Sequence, residues 1–314
     1  MSLGEVYHGG LLHYDLYMIA EFPDFSRLGI EHQKELTDFT SQFEPYSDFN
    51  FTGLFCWNVN NSTRISFLSD NLVLNMPDYI TGKPTYSILG KNKLDESLAV
   101  LLQLSDSLRL VPEIVIENIS DKPRFVIEED RGNHDYIVSA LDLAELQLNK
   151  LPKKRSLVEN FKLQYPNLDV RTIDLNNAQN KRAIMETFDN WRLINKKLQA
   201  ETEIEYKAVK RLLDNSHHFP QLYAIGIYDG KKLVAFNTYE TSTQGYGISS
   251  FQKADKRNDG IYAYLTHEMA KSLVNLGCEY INFEQDLDIE GLRNSKLSYH
   301  PVRFLKKYTV SLTT

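Results

Sequence analysis

Cysteine is scarce in this sequence: 314 residues carry only Cys56 and Cys278. No disulfide framework can be built from two residues, and a reducing cytoplasm is the expected location. Neither cysteine stands at a metal-ligand spacing. His217-His218 reads as surface loop, and His300, which precedes a proline, reads as extended chain. No metal is therefore expected. Long apolar runs are also missing, since none approaches the roughly 20 residues that cross a bilayer. The first residues lack the basic and apolar regions of a leader peptide. No Walker-type loop, dinucleotide fingerprint or nucleophile elbow occurs, so phosphotransfer and hydride transfer have no motif behind them. Positive charge is in short supply, with 35 Lys and Arg against 42 Asp and Glu and a net charge of -7. That balance excludes a whole-surface nucleic-acid binder and makes DNA an unexpected partner, while leaving room for a local basic patch.

What is present fits a folded globular chain. Hydrophobic residues are 42% and charged residues 25%, and 314 residues exceed what one core comfortably serves. Two domains are expected, 1–150 and 151–314. The pattern repeats one plan twice: helix, hairpin, strand, helix, strand. In the first copy a helix carries Ile30, Leu36 and Phe39, and a hairpin joins Arg64–Leu68 to Leu72–Leu74. A strand follows at Thr85–Leu89, a helix near Leu94–Ser107 and a strand at Glu113–Glu117. In the second copy a strand at Val170–Leu175 leads into a helix with Ala183, Ile184, Phe188 and Trp191. A hairpin then turns at Asp229-Gly230, the best short hairpin signal of the chain. A strand at Gly247–Phe251 precedes a helix at Ile261–Leu276, whose stripe is Ile261, Leu265, Met269, Leu273 and Leu276. Gly277 suits its C′ position. A strand at Glu279–Glu284 and a last strand at Lys307–Leu312 complete it. Between the copies, Leu141–Leu148 reads as helical, with Asp142 near its start. The fold class is α/β with mixed sheets.

Chemistry concentrates in the last third. Lys253 to Gly260 lies between a strand and a helix. A helix N-terminus offers free N–H groups and partial positive charge, which suits a phosphate. Lys256, Arg257, Asn258, Asp259 and Gly260 are the candidate donor-binding residues; a helix simply capped by Asp259 is the competing reading. On the next strand, Tyr280, Asn282 and Glu284 share one face and Ile281 and Phe283 the other. Glu284 is the candidate general base, Asp286 the second choice and Tyr299 the candidate acid. The alternatives are a strand-end carboxylate bonded to a loop and a half-buried anchoring phenol. Arg293 and Lys296, three apart, share a face if helical and can grip a phosphate or carboxylate; Asn282 joins them as a substrate contact. In the linker, Lys153, Lys154 and Arg155 form a basic cluster, read either as a solvated helix or as a contact to phosphate or RNA.

Three stretches resemble a known family. The segment Asn282–Arg293, with Lys296-Leu297-Ser298-Tyr299 and Pro301, is similar to the signature end of a bacterial family related to the C-terminal domain of phosphatidylglycerol lysyltransferases. Glu128–Tyr136 with Lys153-Lys154-Arg155 resembles its middle motifs, and Tyr46–Phe51 through Trp57 its N-terminal motif. The resemblance implies two tandem acyl-CoA N-acyltransferase-like domains of the Gcn5-related type. It also places a donor pyrophosphate where Arg257 to Gly260 fall, and it implies aminoacyl-tRNA as donor in the lysyltransferase relatives. Only Gly260 stands where acetyltransferases carry two spaced glycines, which argues against coenzyme A. No membrane-spanning half is seen, which argues against a lipid acceptor.

Two functions follow as expectations. One is an acyl or aminoacyl transferase that moves an activated acyl group from acyl-CoA or aminoacyl-tRNA to an amine or hydroxyl of a small-molecule or peptide acceptor. In it, N–H groups of the Gly247–Phe251 strand stabilise the oxyanion. The donor is a substrate rather than a tightly bound cofactor, and tRNA is the candidate macromolecular partner. The other is a non-catalytic ligand-binding module that kept the fold. The first copy, whose equivalent turn reads Lys91-Asn92-Lys93-Leu94 without glycine, is expected to be structural.

Overall fold

The computed structural model describes residues 18–77, 82–147, 149–197 and 199–313. The first half runs through β1 (Ser26–Arg27), α1 (Gln33–Thr40), α2 (Phe51–Trp57), β2 (Arg64–Leu68), β3 (Asn71–Pro77) and β4 (Pro84–Leu89). It continues with α3 (Leu94–Leu101), β5 (Leu108–Pro112), α4 (Glu113–Glu117) and β6 (Phe125–Glu129). Two elements differ from the sequence reading. Helix α3 stops at Leu101 rather than near Ser107, and Glu113–Glu117 is a short helix, not a strand. Pro112, extended at ψ 148°, ends β5 and caps α4, and the two buried side chains Val115 and Ile116 are adjacent, as on a helix flank rather than an alternating strand.

Next come β7 (Asp135–Ser139), α5 (Ala140–Glu145), α6 (Pro152–Gln164), β8 (Leu168–Thr172), α7 (Ala178–Ile194) and α8 (Gln199–Asp214). Of the helix read over 141–148, Leu148 lies outside the described residues. The chain then forms β9 (Leu222–Asp229), β10 (Lys232–Thr241), β11 (Tyr246–Ala254) and α9 (Ile261–Asn275). It closes with β12 (Tyr280–Asn282), α10 (Glu290–Leu297), β13 (Arg303–Leu305) and β14 (Lys307–Leu312). Gly230 turns the β9–β10 hairpin at φ 57°. Helix α9 ends as its sequence dictates: Gly277 at φ 85° lets its own N–H reach Val274 O and that of Cys278 reach Leu273 O, a Schellman closure. Leu276 is the C-cap and stays 41% exposed, so the apolar stripe stops at Leu273.

Each half builds a seven-stranded mixed sheet, and the two share one topology. The first has order β1-β2-β3-β4-β5-β14-β6 and the second β8-β9-β10-β11-β12-β7-β13, read from the opposite edge. In each, four antiparallel strands lead to one parallel joint, β4 with β5 and β11 with β12, and two antiparallel strands follow. The sixth position is exchanged. Strand β7 follows the first-sheet strand β6 but pairs in the second sheet, and β14 follows the second-sheet strand β13 but pairs in the first. A cut of the chain at residue 150 therefore separates each sheet from one of its own strands.

The halves also share a core. Leu72, Leu74 and Ile65 of the first sheet join Phe236 and Phe251 of the second in one buried cluster, bridged by Leu54 and Phe55 of α2 and Val209 and Leu212 of α8. Such continuous apolar burial makes the inter-sheet contact a core rather than a docked interface. The outer faces pack separately, α3 on the first sheet and α9 on the second.

Candidate active site

Strands β11 and β12 pair only from Tyr246 with Tyr280 to Ile248 with Asn282, then separate. Just past that point β11 carries an extra residue: Thr238 faces Phe251 and Tyr239 faces Ser249, leaving Ser250 as a bulge. A bulge re-aims the backbone beside a site. Beyond Asn282 the other strand turns sharply, with Glu284 at φ 58°. The buried Asn282 fixes this turn, because its Oδ1 accepts from Glu284 N at 2.7 Å and its Nδ2 donates to Pro45 O at 2.9 Å. Lys296, on α10, holds the turn from the other side by donating Nζ to Phe283 O at 2.5 Å and to Gln285 O.

The Glu284 side chain makes no hydrogen bond or ion pair among the described residues. Burial pushes its carboxyl up to about 8; Lys296 pulls against that, and Asp135 and Asp48 add to it. Lys296 is shifted the opposite way, pulled down to about 8 by burial. An acid and an amine, both brought near neutrality at the mouth of a strand opening, can exchange protons at physiological pH.

Behind them lies a buried charge cluster. Lys307, the first residue of β14, is fully buried and ion-paired with Asp48 and, at 2.8 Å, with Asp135, the first residue of β7. Ser47 donates its N–H and hydroxyl to the same Asp135, at 2.8 and 2.6 Å, and Gln285 donates to Asp48 at 2.7 Å. Burial works against the Lys307 charge, but the two aspartates outweigh it and hold the ammonium above the ordinary lysine range.

Asp286, the second carboxylate read from the sequence, is committed elsewhere. It is fully buried, accepts from Arg293 Nε at 2.9 Å, pairs with Arg131 at 3.4 Å and takes the Tyr136 hydroxyl. Burial alone would raise its pKa, yet the Arg293 and Tyr136 hydrogen bonds hold the carboxyl below the usual range. Arg131 also donates to Tyr136 at 3.0 Å and lies over the Phe304 ring. Gly132 packs against Asp288 so closely that a Cβ there would fall within 2.4 Å of its carboxylate. Arg293 thus grips Asp286 and Asp288 and not an open ligand space.

At the start of α9, Gly260 adopts φ 82°, and a Cβ on it would meet Leu157 O at 2.9 Å and Phe161 Cβ at 3.3 Å. Its lack of a side chain admits helix α6. Arg257 is exposed and folded onto Asp255, Nε to Oδ1 at 2.9 Å, and Asp255 also accepts the Arg257 N–H at 3.1 Å. Those bonds hold the Asp255 carboxyl below its usual range. Lys256 and Asp259 are exposed and Asn258 half-buried on the same turn.

The basic cluster divides. Lys154 points inward, its ammonium 3.7 Å from the centre of the Tyr299 ring, and burial pulls it down to about 8. Tyr299 packs edge-on against Phe283 at 5.3 Å, and burial keeps its phenol protonated well above neutrality. Lys153 is exposed and Arg155 pairs with Glu159 at 2.7 Å. The structure thus gathers Asn282, Glu284 and Lys296 at one turn, with Lys154 and Tyr299 stacked beside Phe283. It leaves Lys153, Arg155, Lys256 and Arg257 at the surface.

In the first copy the equivalent turn is filled by the chain itself. Lys93, at φ 42°, occupies the left-handed position that Gly260 holds in the second copy. Asn71 bonds both backbone groups of Asn92, at 2.6 and 3.0 Å, and Asp95 accepts the N–H groups of Ser120 and Asp121 at 3.1 and 2.8 Å.

Asp48, Asp135 and Lys307 had no role in the sequence reading. Their signal was weak: Asp48 and Asp135 stood inside quoted motifs, and Lys307 opened a strand as an ordinary polar residue. Only the strand exchange brings them together.

The sequence profile of the family "Phosphatidylglycerol lysyltransferase, C-terminal" matches residues 40–311. No curated protein matches the sequence. Among solved structures, a conserved protein of unknown function from Bacteroides thetaiotaomicron is 27% identical with a TM-score of 0.81, covering 92% of this chain and 99% of that one. L-PGS from Bacillus licheniformis is 14% identical with a TM-score of 0.59, covering 94% of each chain. FemX is 8% identical with a TM-score of 0.60, covering 92% of this chain and 97% of its own. The fold is that of tandem acyl-CoA N-acyltransferase-like domains.

Proposed function

The chain belongs to the phosphatidylglycerol lysyltransferase C-terminal family, and from that premise we propose that it moves an acyl or aminoacyl group from a phosphorylated donor to an amine or hydroxyl acceptor at the opening between β11 and β12. The observation that carries this reading is Glu284. Its carboxyl sits at the strand opening without a hydrogen-bond partner among the described residues, and burial has pushed it up to about 8. A base poised near the working pH is what proton removal from an attacking amine or hydroxyl requires.

In the proposed sequence the acceptor attacks the donor carbonyl and Glu284 takes its proton. N–H groups of β11 beyond Ile248, where the parallel pairing stops, bond the developing oxyanion; such a donor contributes about 3 kcal/mol. Tyr299, protonated and stacked under Lys154, passes a proton to the leaving group. Lys296 and Asn282 hold the turn that aims Glu284, and Asp286 with Arg131 and Arg293 braces the loop behind it. Aminoacyl-tRNA or acyl-CoA serves as donor, its phosphate lying at the Lys256–Gly260 turn. Occupation there requires Arg257 to swing off Asp255. Lys153, exposed, would meet a nucleic-acid backbone, and Arg155 would join it on leaving Glu159.

Calorimetric titration with acetyl-coenzyme A and with a charged tRNA at two salt concentrations tests the donor. Saturable thioester binding lost in Arg257→Ala identifies a small donor. Binding of tRNA that weakens steeply with salt identifies the aminoacyl donor. Binding of neither overturns the transfer reading and leaves a ligand-binding module.

A further inference from the structure

A cleft of about 300 Å³ opens between α1 with the 41–52 stretch on one side and the end of β10 with Gln221 on the other. At its floor lies Glu240, only 2% exposed. One carboxylate oxygen, Oε2, accepts from Thr52 Oγ1 at 2.8 Å; the other, Oε1, meets no donor in hydrogen-bond geometry, although the Asn50 amide, whose Oδ1 accepts from Gly53 N, is close enough to favour the charged carboxylate. Buried carboxylate oxygens are almost always bonded, because leaving one unsatisfied costs its full desolvation. We propose that this cleft binds a small ligand through a primary ammonium group, with Glu240 as the counter-ion.

The lining supports a cation over an anion or a neutral polar group. It contains two carboxylates, Glu240 and Glu44, and no lysine, arginine or histidine among the described residues. Glu44, at the rim, is already matched by Arg303 and bonded by the Tyr246 hydroxyl at 3.4 Å. Glu240 is the unmatched acid. The rings of Phe43, Tyr46, Phe49 and Phe51 also line the cleft, and aromatic faces attract an alkylammonium. A metal ion is a poorer fit, since no group of three or more potential ligands occurs among the described residues. The size suits an amine no larger than an amino acid.

Burial pushes the Glu240 carboxyl up to about 7, so the counter-ion forms as pH rises. The neighbouring titratable groups are Cys56 of α2, whose thiol burial pushes far up, and beyond it Arg211 of α8. Neither titrates between pH 5.5 and 8. Glu44 faces the same cleft from its rim, paired with Arg303, and binding tightens across that range as Glu240 ionises. The cleft adjoins the transfer site, since its Pro45 carbonyl accepts from Asn282, but occupancy is read without donor or turnover, so the failure of one reading is distinguishable from the failure of the other.

The test is calorimetry and thermal melting of the full chain with n-butylammonium chloride, butan-1-ol and sodium butyrate, at pH 8 and pH 5.5. Saturable binding of butylammonium alone is expected, about tenfold or more weaker at pH 5.5. Glu240→Gln keeps the shape and is expected to weaken binding at least tenfold. Thr40→Trp, which fills the cleft from α1 and leaves Glu240 untouched, is expected to abolish it in a chain that still melts cooperatively. Equal binding of butan-1-ol, undiminished binding by Glu240→Gln, or no saturable binding of butylammonium to the parent overturns the proposal.

Discussion

Lys307 Nζ lies 2.8 Å from Asp135 Oδ1, and both side chains are fully buried. Each is the first residue of an exchanged strand: Asp135 opens the strand that the first half gives to the second sheet, and Lys307 opens the strand returned to the first. The ion pair therefore sits where the two chain crossings meet. Asp48, from the segment between α1 and α2, completes it.

Removing the lysine would strand two buried carboxylates. Lys307→Met is expected to cost about 3–5 kcal/mol, the usual range for breaking a buried pair from one side. Adding Asp48→Asn and Asp135→Asn should recover much of that loss. Urea denaturation of the single and triple variants measures both. A single variant within 1 kcal/mol of the parent would show that the pair does not hold the crossing.

The repeat was legible because its signals are local. Asp229-Gly230, the Leu94–Leu98–Leu101 spacing and the Gly277 cap each act within two turns of chain, and each forms the type of element expected, α3 in shortened form. The strand exchange was not legible, because β7 and β14 look like any strand and only tertiary pairing decides which sheet takes them. Glu113–Glu117 failed for a related reason: the β-branched run Ile114-Val115-Ile116 suits a strand, but Pro112 had already ended β5. At the site, strand alternation predicts Asn282 and Glu284 on one face, but β12 ends at Asn282 and Glu284 lies in the left-handed turn beyond it. Alternation did not show that Asp286 turns back into an arginine hub, since that depends on left-handed Glu284, Leu287 and Asp288.

Glu284 carries a kinetic prediction. A base with its carboxyl near 8 is largely protonated at pH 6, so kcat/KM should rise about tenfold per unit until it levels near pH 8. Glu284→Gln should lower the rate about 10²-fold or more and flatten that limb. A pH–rate profile of both proteins with the donor identified by titration checks this. An unchanged profile in the variant removes Glu284 from the chemistry.

Glu240 carries a stability prediction with the opposite sign to the usual carboxylate. Its folded value of about 7 lies above the ordinary 4.5. Between those values the folded protein holds a proton that the unfolded chain releases, so stability falls as pH rises through the window. Glu240→Gln lacks that penalty. Its stability relative to the parent should climb from pH 4.5 to pH 7 by up to about 3 kcal/mol and then stay level. Glu284 acts with the same sign in both proteins and drops out of the difference. Denaturation midpoints at pH 4.5, 6 and 7.5 measure it; a constant difference would place Glu240 ionised in the fold throughout.

Gly260 separates two roles that sequence alone could not. A phosphate cradle needs glycine for the ligand's approach, whereas the structure puts Leu157 O and Phe161 where a Cβ would go. The backbone there is also left-handed, at φ 82°. Gly260→Ala is therefore expected to destabilise the free protein by about 1–3 kcal/mol, from strain and from displacing α6. Gly260→Asn, which tolerates that conformation better, should recover the backbone part and still meet α6. Thermal melts of the two variants without donor measure the packing role directly. If both melt with the parent and only donor affinity falls, the glycine serves the ligand instead of the helix.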